Sequence, residues 1–154
     1  LANTFIDKYG RDEGIQHMKL QKLAYYAHGW WLAYNDNPFL KERPQVWRYG
    51  PVFKSMYKGL KPFGSKPIHE PHSPVPFEDP EIISDPDLLK LIGWVWERYS
   101  PYSAIALSNQ THESGTPWHR IAEEHNYRVP ENYEIPDDLI RSYFRAEADE
   151  LKPA

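Results

Sequence analysis

Residues 17–34 read HMKLQKLAYYAHGWWLAY, a stretch of eighteen residues without proline or acidic side chains. At 100° per residue, Leu20, Leu23, Ala24, Ala27, Trp30, Trp31 and Tyr34 fall within about 120° of one another, the width of a core-facing helical stripe. The far side is not polar. Met18, Tyr25 and Leu32 recur there every seven residues, with Gly29 beside them. A helix apolar on two sides is either the central helix of a core or lends its second side to a partner. The sequence leaves both readings open. In either case the fold class is mainly α.

Working outward, residues 4–9 read as a short first helix. Residues 45–49 alternate weakly and are rich in β-formers, which suggests a short strand or ribbon. Gly50-Pro51 reads as a helix start with proline in the first turn, followed by the stripe Val52, Phe53, Met56, Tyr57 and Leu60. Residues 61–86 hold Pro62, Pro67, Pro71, Pro74, Pro76, Pro80 and Pro86. That density excludes a helix or a central strand and predicts an ordered arm. Asp85-Pro86, Ser100-Pro101 and Thr116-Pro117 each read as an N-cap followed by proline at the first helical position. The helix after Pro86 has the apolar face Leu88, Leu89, Ile92, Val95, Trp96 and Tyr99, and Trp94 points away from it. Residues 125–136 are irregular. Pro136 opens a last helix with Leu139, Ile140, Tyr143 and Phe144 inward. The expectation is one compact bundle of six to seven helices over residues 1–154, with a short β-ribbon and a proline-rich arm.

The chain has 154 residues, enough for one core. It has no cysteine, which removes thiol nucleophiles, disulfides and Cys-ligated metals and fits a reducing, cytoplasmic setting. No apolar run approaches the roughly 18 residues of a membrane span. Residues 1–76 carry 11 Lys and Arg against 6 Asp and Glu, and residues 77–154 carry 7 against 16. That asymmetry gives weak support to nucleic-acid binding, for which Lys54, Lys58 and Lys61 are the nearest to a basic stripe. Nucleic acid is therefore an alternative partner and not the expected one.

Catalytic patterns are missing or incomplete. His112-Glu113 resembles the start of a zinc-protease helix, but Thr116 stands where the second histidine belongs. A hydrolase using His112, Glu113 and His119 is the least supported reading. No nucleophile elbow or phosphate-binding glycine loop is present. The expectation is a protein without catalytic, cofactor or metal residues, and not an enzyme. Aromatics are abundant, with 6 Trp, 11 Tyr and 6 Phe. Tryptophan and tyrosine are enriched at binding hot spots. Tyr25, Trp31, Trp47 and Trp94 are candidates for exposure, each with burial as the alternative. Tyr25, Trp31 and Trp94 are the expected partner-binding anchors.

Three segments occur together in order. The first is Met18-Lys19-Leu20-Gln21-Lys22-Leu23 running on to Tyr25-Tyr26-Ala27-His28-Gly29-Trp30. The second is Val46-Trp47-Arg48-Tyr49-Gly50-Pro51-Val52, with Tyr57 and Phe63-Gly64 behind it. The third is Leu107-Ser108 through Thr111-His112, Glu113 and Pro117-Trp118. The set resembles the Panacea domain, also described as the SocA-like antitoxin or phage-associated GepA-like family, and spans about residues 3–122. The family's first motif commonly has Gln where this chain has His28. The resemblance implies a small helical antitoxin, bacterial or phage-borne, that binds and neutralises a cognate protein toxin. The SocA-type member is also a proteolytic adaptor that delivers its toxin to ClpXP, so ClpX is a further implied partner. Residues 123–154, a C-terminal helix and acidic tail, lie outside the recognised motifs.

Overall fold

The structure, a computed structural model, describes residues 1–151. Residues 17–34 form one helix, and the other elements are laid around it. In chain order the elements are α1 (Ala2–Tyr9), α2 (His17–Tyr34), β1 (Gln45–Trp47), β2 (Gly50–Val52), α3 (Lys54–Leu60), a 3-10 turn (Lys61–Phe63), α4 (Pro86–Tyr99), α5 (Ala104–His112), α6 (Pro117–Glu124) and α7 (Asp137–Leu151). The fold is mainly α. Helix α2 packs against α1, α3, α4, α5, α7 and β2. Fourteen of its eighteen residues are buried, so the central-core reading of its two apolar sides holds.

What covers the second side is α7. Its Ile140, Phe144 and Ala148 are buried against α2. Gly29 makes the close approach possible: a Cβ there would stand 2.1 Å from Cε2 of Phe144. Tyr25 is consequently 2 % exposed, between Tyr26 and Phe144 at ring distances of 5.7 and 5.9 Å. Its expected exposure is corrected, because the chain supplies its own cover for that face. Toward α4, Tyr26 stacks on Tyr99 at 3.9 Å, and the Trp30 indole donates to the Tyr99 hydroxyl at 2.8 Å.

The Asp85 carboxylate caps α4 by accepting from Asp87 and Leu88 N–H groups at 2.9 and 3.0 Å. The Thr116 hydroxyl caps α6 by accepting from the His119 N–H at 3.2 Å. Two other starts fall elsewhere than expected. The Ser100 N–H still donates to Trp96 at 2.9 Å, so Ser100 closes α4, and Ser103 caps α5. A proline stops a helix as readily as it opens one, so Ser100-Pro101 is ambiguous by itself. Gly50-Pro51 starts a strand and not a helix. Gly50 has φ +113° and leaves the two-residue turn Arg48-Tyr49, and Pro51 pairs across from Val46 in an antiparallel hairpin. Only after Phe53 does α3 begin.

The irregular stretches are tied down by single rungs. The Val46 N–H donates to Tyr133 at 2.9 Å and the Ile135 N–H to Pro44 at 2.8 Å, which lays residues 133–135 beside β1. The proline arm exchanges both bonds between Ile15 and Ile68, at 2.9 and 3.0 Å, and its His72 backbone exchanges two with the Asn3 amide.

Candidate partner-binding surface

The three sequence segments that carry the resemblance converge under the hairpin. From α2, the Gln21 amide accepts from the Phe53 N–H at 2.9 Å and donates to the Phe53 carbonyl at 3.1 Å, copying a strand neighbour. One residue on, the Lys22 ammonium donates to the Pro51 carbonyl at 3.0 Å. From α5, the Ser108 hydroxyl donates to the Tyr49 carbonyl, and from α6 the Trp118 indole donates to the Trp47 carbonyl at 2.7 Å. The Thr116 hydroxyl, in the turn before α6, donates to the Thr111 carbonyl of α5 at 2.8 Å, and the Thr111 hydroxyl donates to the Ser108 carbonyl within α5 at 2.6 Å. A Cβ on Gly50 would lie 2.6 Å from Thr111 Oγ1 and 3.1 Å from Lys22 Nζ. Glycine is required there by both φ and space.

Lys22 is 1 % exposed and has no carboxylate within ion-pair distance among the described residues. Burial pulls its pKa down to about 8. Burial, with the charge of Lys22 second, also lowers the pKa of His17 and of His112. His112 packs on Trp118 at 4.1 Å, and its Nε2 has no hydrogen-bond partner. His119 faces Glu123 at 3.7 Å and the Tyr127 hydroxyl at 3.3 Å. The structure thus gives His112 and His119 separate partners. Among the described residues, no three His, Asp or Glu side chains are placed to hold a metal ion.

This cluster is a scaffold whose outward product is the hairpin tip. Arg48 and Tyr49 are exposed, Tyr49 by 58 %. Ile105, one helical turn before Ser108, is 71 % exposed, and Met18, one turn before Lys22, is 38 % exposed. Sequence reasoning placed Met18 on the second apolar side of α2, open to a partner, and did not single out Arg48, Tyr49 or Ile105 as exposed. The signal available was Lys22, a charge on the second apolar side of α2 between Met18 and Tyr25.

The three expected anchors are not brought together. Tyr25 lies under α7. Trp31 is half-buried, with its indole donating to the Asn37 carbonyl at 2.8 Å and its ring against Phe39 at 5.6 Å. Trp94 is 38 % exposed. It meets Trp30 edge-on at 5.0 Å, and the Arg98 guanidinium lies 5.4 Å from its ring. Arg98 also lies over Trp30 and Tyr99, at 5.8 and 5.6 Å. The fourth candidate, Trp47, is half-buried against Tyr57 at 4.7 Å. Of the basic residues on α3 and the turn after it, Lys54 donates to Asn132 at 2.8 Å and Lys61 sits 6.0 Å over the Tyr57 ring. No helix among the described residues is long and apolar enough to cross a membrane.

The mainly helical core with motif segments gathered under a hairpin defines a class. Residues 20–119 match the family described as antitoxin SocA-like, Panacea domain, and the chain belongs to that family. It is similar to Antitoxin SocA of Caulobacter vibrioides, with 30 % identity over 151 residues, covering 94 % of this chain and 80 % of that protein. No solved structure matches the chain. The family match ends before α7, so the helix that buries Tyr25 lies outside it.

Proposed function

We propose that this protein is the antitoxin of a toxin–antitoxin pair and neutralises a cognate protein toxin by binding it. The reading is carried by family membership over residues 20–119, together with the similarity to Antitoxin SocA. The surface supports it. Trp94 is the anchor of choice among the three expected residues, because it is the most exposed of them at 38 % and its ring is held by Trp30 edge-on and by Arg98, which also contacts Trp30. An indole so fixed loses little entropy on binding, and tryptophan with arginine is the composition of an interface hot spot. Trp31 is a secondary contact.

Two routes to neutralisation follow from binding: occlusion of the toxin, and its delivery to ClpXP. The test co-expresses this chain with the product of the adjoining gene and reads both growth rescue and co-purification. Rescue with a stable complex is expected. Rescue that disappears in cells lacking ClpP assigns delivery, and rescue that persists assigns occlusion. Trp94→Ala is expected to weaken the complex about thirtyfold, about 2 kcal/mol, with the thermal midpoint little changed. Toxicity unrelieved by this chain, with no complex formed, overturns the reading.

A further inference from the structure

Away from Trp94, a cavity of about 410 Å³ opens between the hairpin and α6. Trp47, Trp118 and Tyr127 line it, together with Val46 and Val129, and Arg48 joins them from the exposed hairpin turn. Pockets of this size lined by aromatic carbon with one placed polar group are the common form of a binding site. The Trp118 indole N–H is already committed to the Trp47 carbonyl, and the Trp47 indole N–H to Gln45 at 2.9 Å. The two indoles therefore present mainly their carbon faces to the pocket.

Two features of the lining stand out, although Tyr127 also bonds to His119 through its hydroxyl, at 3.3 Å. Arg48 is its single charged residue, exposed and without a carboxylate in ion-pair range among the described residues. Its guanidinium is held over the Tyr49 ring at 5.4 Å, which orients the fork and leaves its donors free. Tyr127 is the second feature. Its φ is +60° and that of Asn126 before it is +51°. Asparagine tolerates this region, and a bulky aromatic is strained in it. The Tyr127 N–H, donating to Ala122 at 2.7 Å, keeps the ring beside the pocket although the residue is 62 % exposed.

We propose that this pocket is a docking site for a protein segment that inserts an apolar side chain and sets a neighbouring carboxylate on Arg48. Charge complementarity fixes that chemistry, since a segment flanked by lysine or arginine would meet an unpaired cation at the lip. A nucleic-acid strand is disfavoured. It would need several cations along its backbone where the pocket offers one, on a chain of net charge −4. The proposal holds whatever the toxin is, and its test needs no toxin.

The experiment follows the Trp118 and Trp47 indole N–H signals of the whole ¹⁵N-labelled chain by NMR. Three probes are titrated: acetyl-Asp-Phe-Asp-amide, acetyl-Lys-Phe-Lys-amide and a short oligothymidylate. The acidic peptide is expected to shift the Trp118 signal and to bind about fivefold more tightly than the basic one. R48Q is expected to abolish that preference without altering the fold, Arg48 being on the surface. Y127G supplies a second arm: relief of the left-handed strain raises the thermal midpoint, while loss of the wall weakens both peptides. Equal affinity of the two peptides, shifts confined to other parts of the chain, or an oligothymidylate that moves the same indoles at lower concentration would each overturn the proposal.

Discussion

Lys22 holds a full charge in the core by one hydrogen bond, and its position makes stability depend on alkaline pH. Its pKa is about 8 in the folded chain, against the ordinary lysine value of 10.5 that the unfolded chain keeps. Below pH 8 both states hold the proton, and the folded state bears the whole cost of burying it. Between pH 8 and 10.5 the folded chain releases the proton while the unfolded chain keeps it, so stability rises with pH. The rise is worth about 2–3 kcal/mol from this group alone. It ends near the ordinary tyrosine pKa of 10.0, where tyrosines of the unfolded chain ionise while Tyr25 and Tyr26, their pKa values pushed up by burial, stay neutral. Denaturant unfolding of the wild type and Lys22→Met at about pH 7.5 and 9.5 measures the difference. The variant is expected to lose most of the rise. A rise of equal size in both proteins would assign it to other groups.

At the scale of elements, the junction of α2 with α7 decides what the second side of α2 is for. Phe144 is 1 % exposed and occupies the space a side chain on Gly29 would need. Phe144→Ala is expected to cost about 3–5 kcal/mol, since the cavity opens between two long helices that cannot collapse into it. Gly29→Ala is expected to cost about 1–3 kcal/mol by overpacking against the same ring. Both are read from chemical denaturation. A double mutant less destabilised than the sum of its parts would show that the two positions share one space. The junction also reaches His28, whose Nε2 lies 3.2 Å from the Asp137 carboxylate at the start of α7, an element outside the family match.

For the whole molecule, the boundary of the family match is not a folding boundary. Residues 20–119 exclude α7, yet Ile140, Phe144 and Ala148 belong to the same core as Tyr25 and Leu32. Removing residues 137–154 is expected to leave much of the helical far-UV signal while cooperative thermal unfolding is lost and a hydrophobic dye binds. A truncated chain that melts cooperatively near the full-length midpoint would show that α7 is an appendage. The irregular stretches act at this scale too. The proline arm and residues 125–136 carry no long run of regular structure, yet their single rungs to Ile15, Asn3, Pro44 and Val46 tie them to the bundle.

Local sequence was enough for the helical class, the bounds of α2, the caps at Asp85 and Thr116, the arm and the family. Each rests on local periodicity, on a cap residue beside a proline, or on motifs read in order. It also put Trp94 off the apolar face of α4, where it is 38 % exposed, since its place among Lys90, Glu97 and Arg98 is a local fact of its helix. Tertiary structure alone decided the rest. The burial of Tyr25 depended on α7, at the far end of the chain, and a periodicity of seven cannot say which element covers it. The strand at Gly50-Pro51 depended on Gln21, Lys22 and Ser108 satisfying the hairpin's backbone, where local signals favour a helix start. The pocket at Arg48 depended on a left-handed Tyr127 that no turn propensity favours. In each case the deciding contact joins residues far apart in the chain, and its energy comes from surface and hydrogen bonds that exist only once the chain is packed.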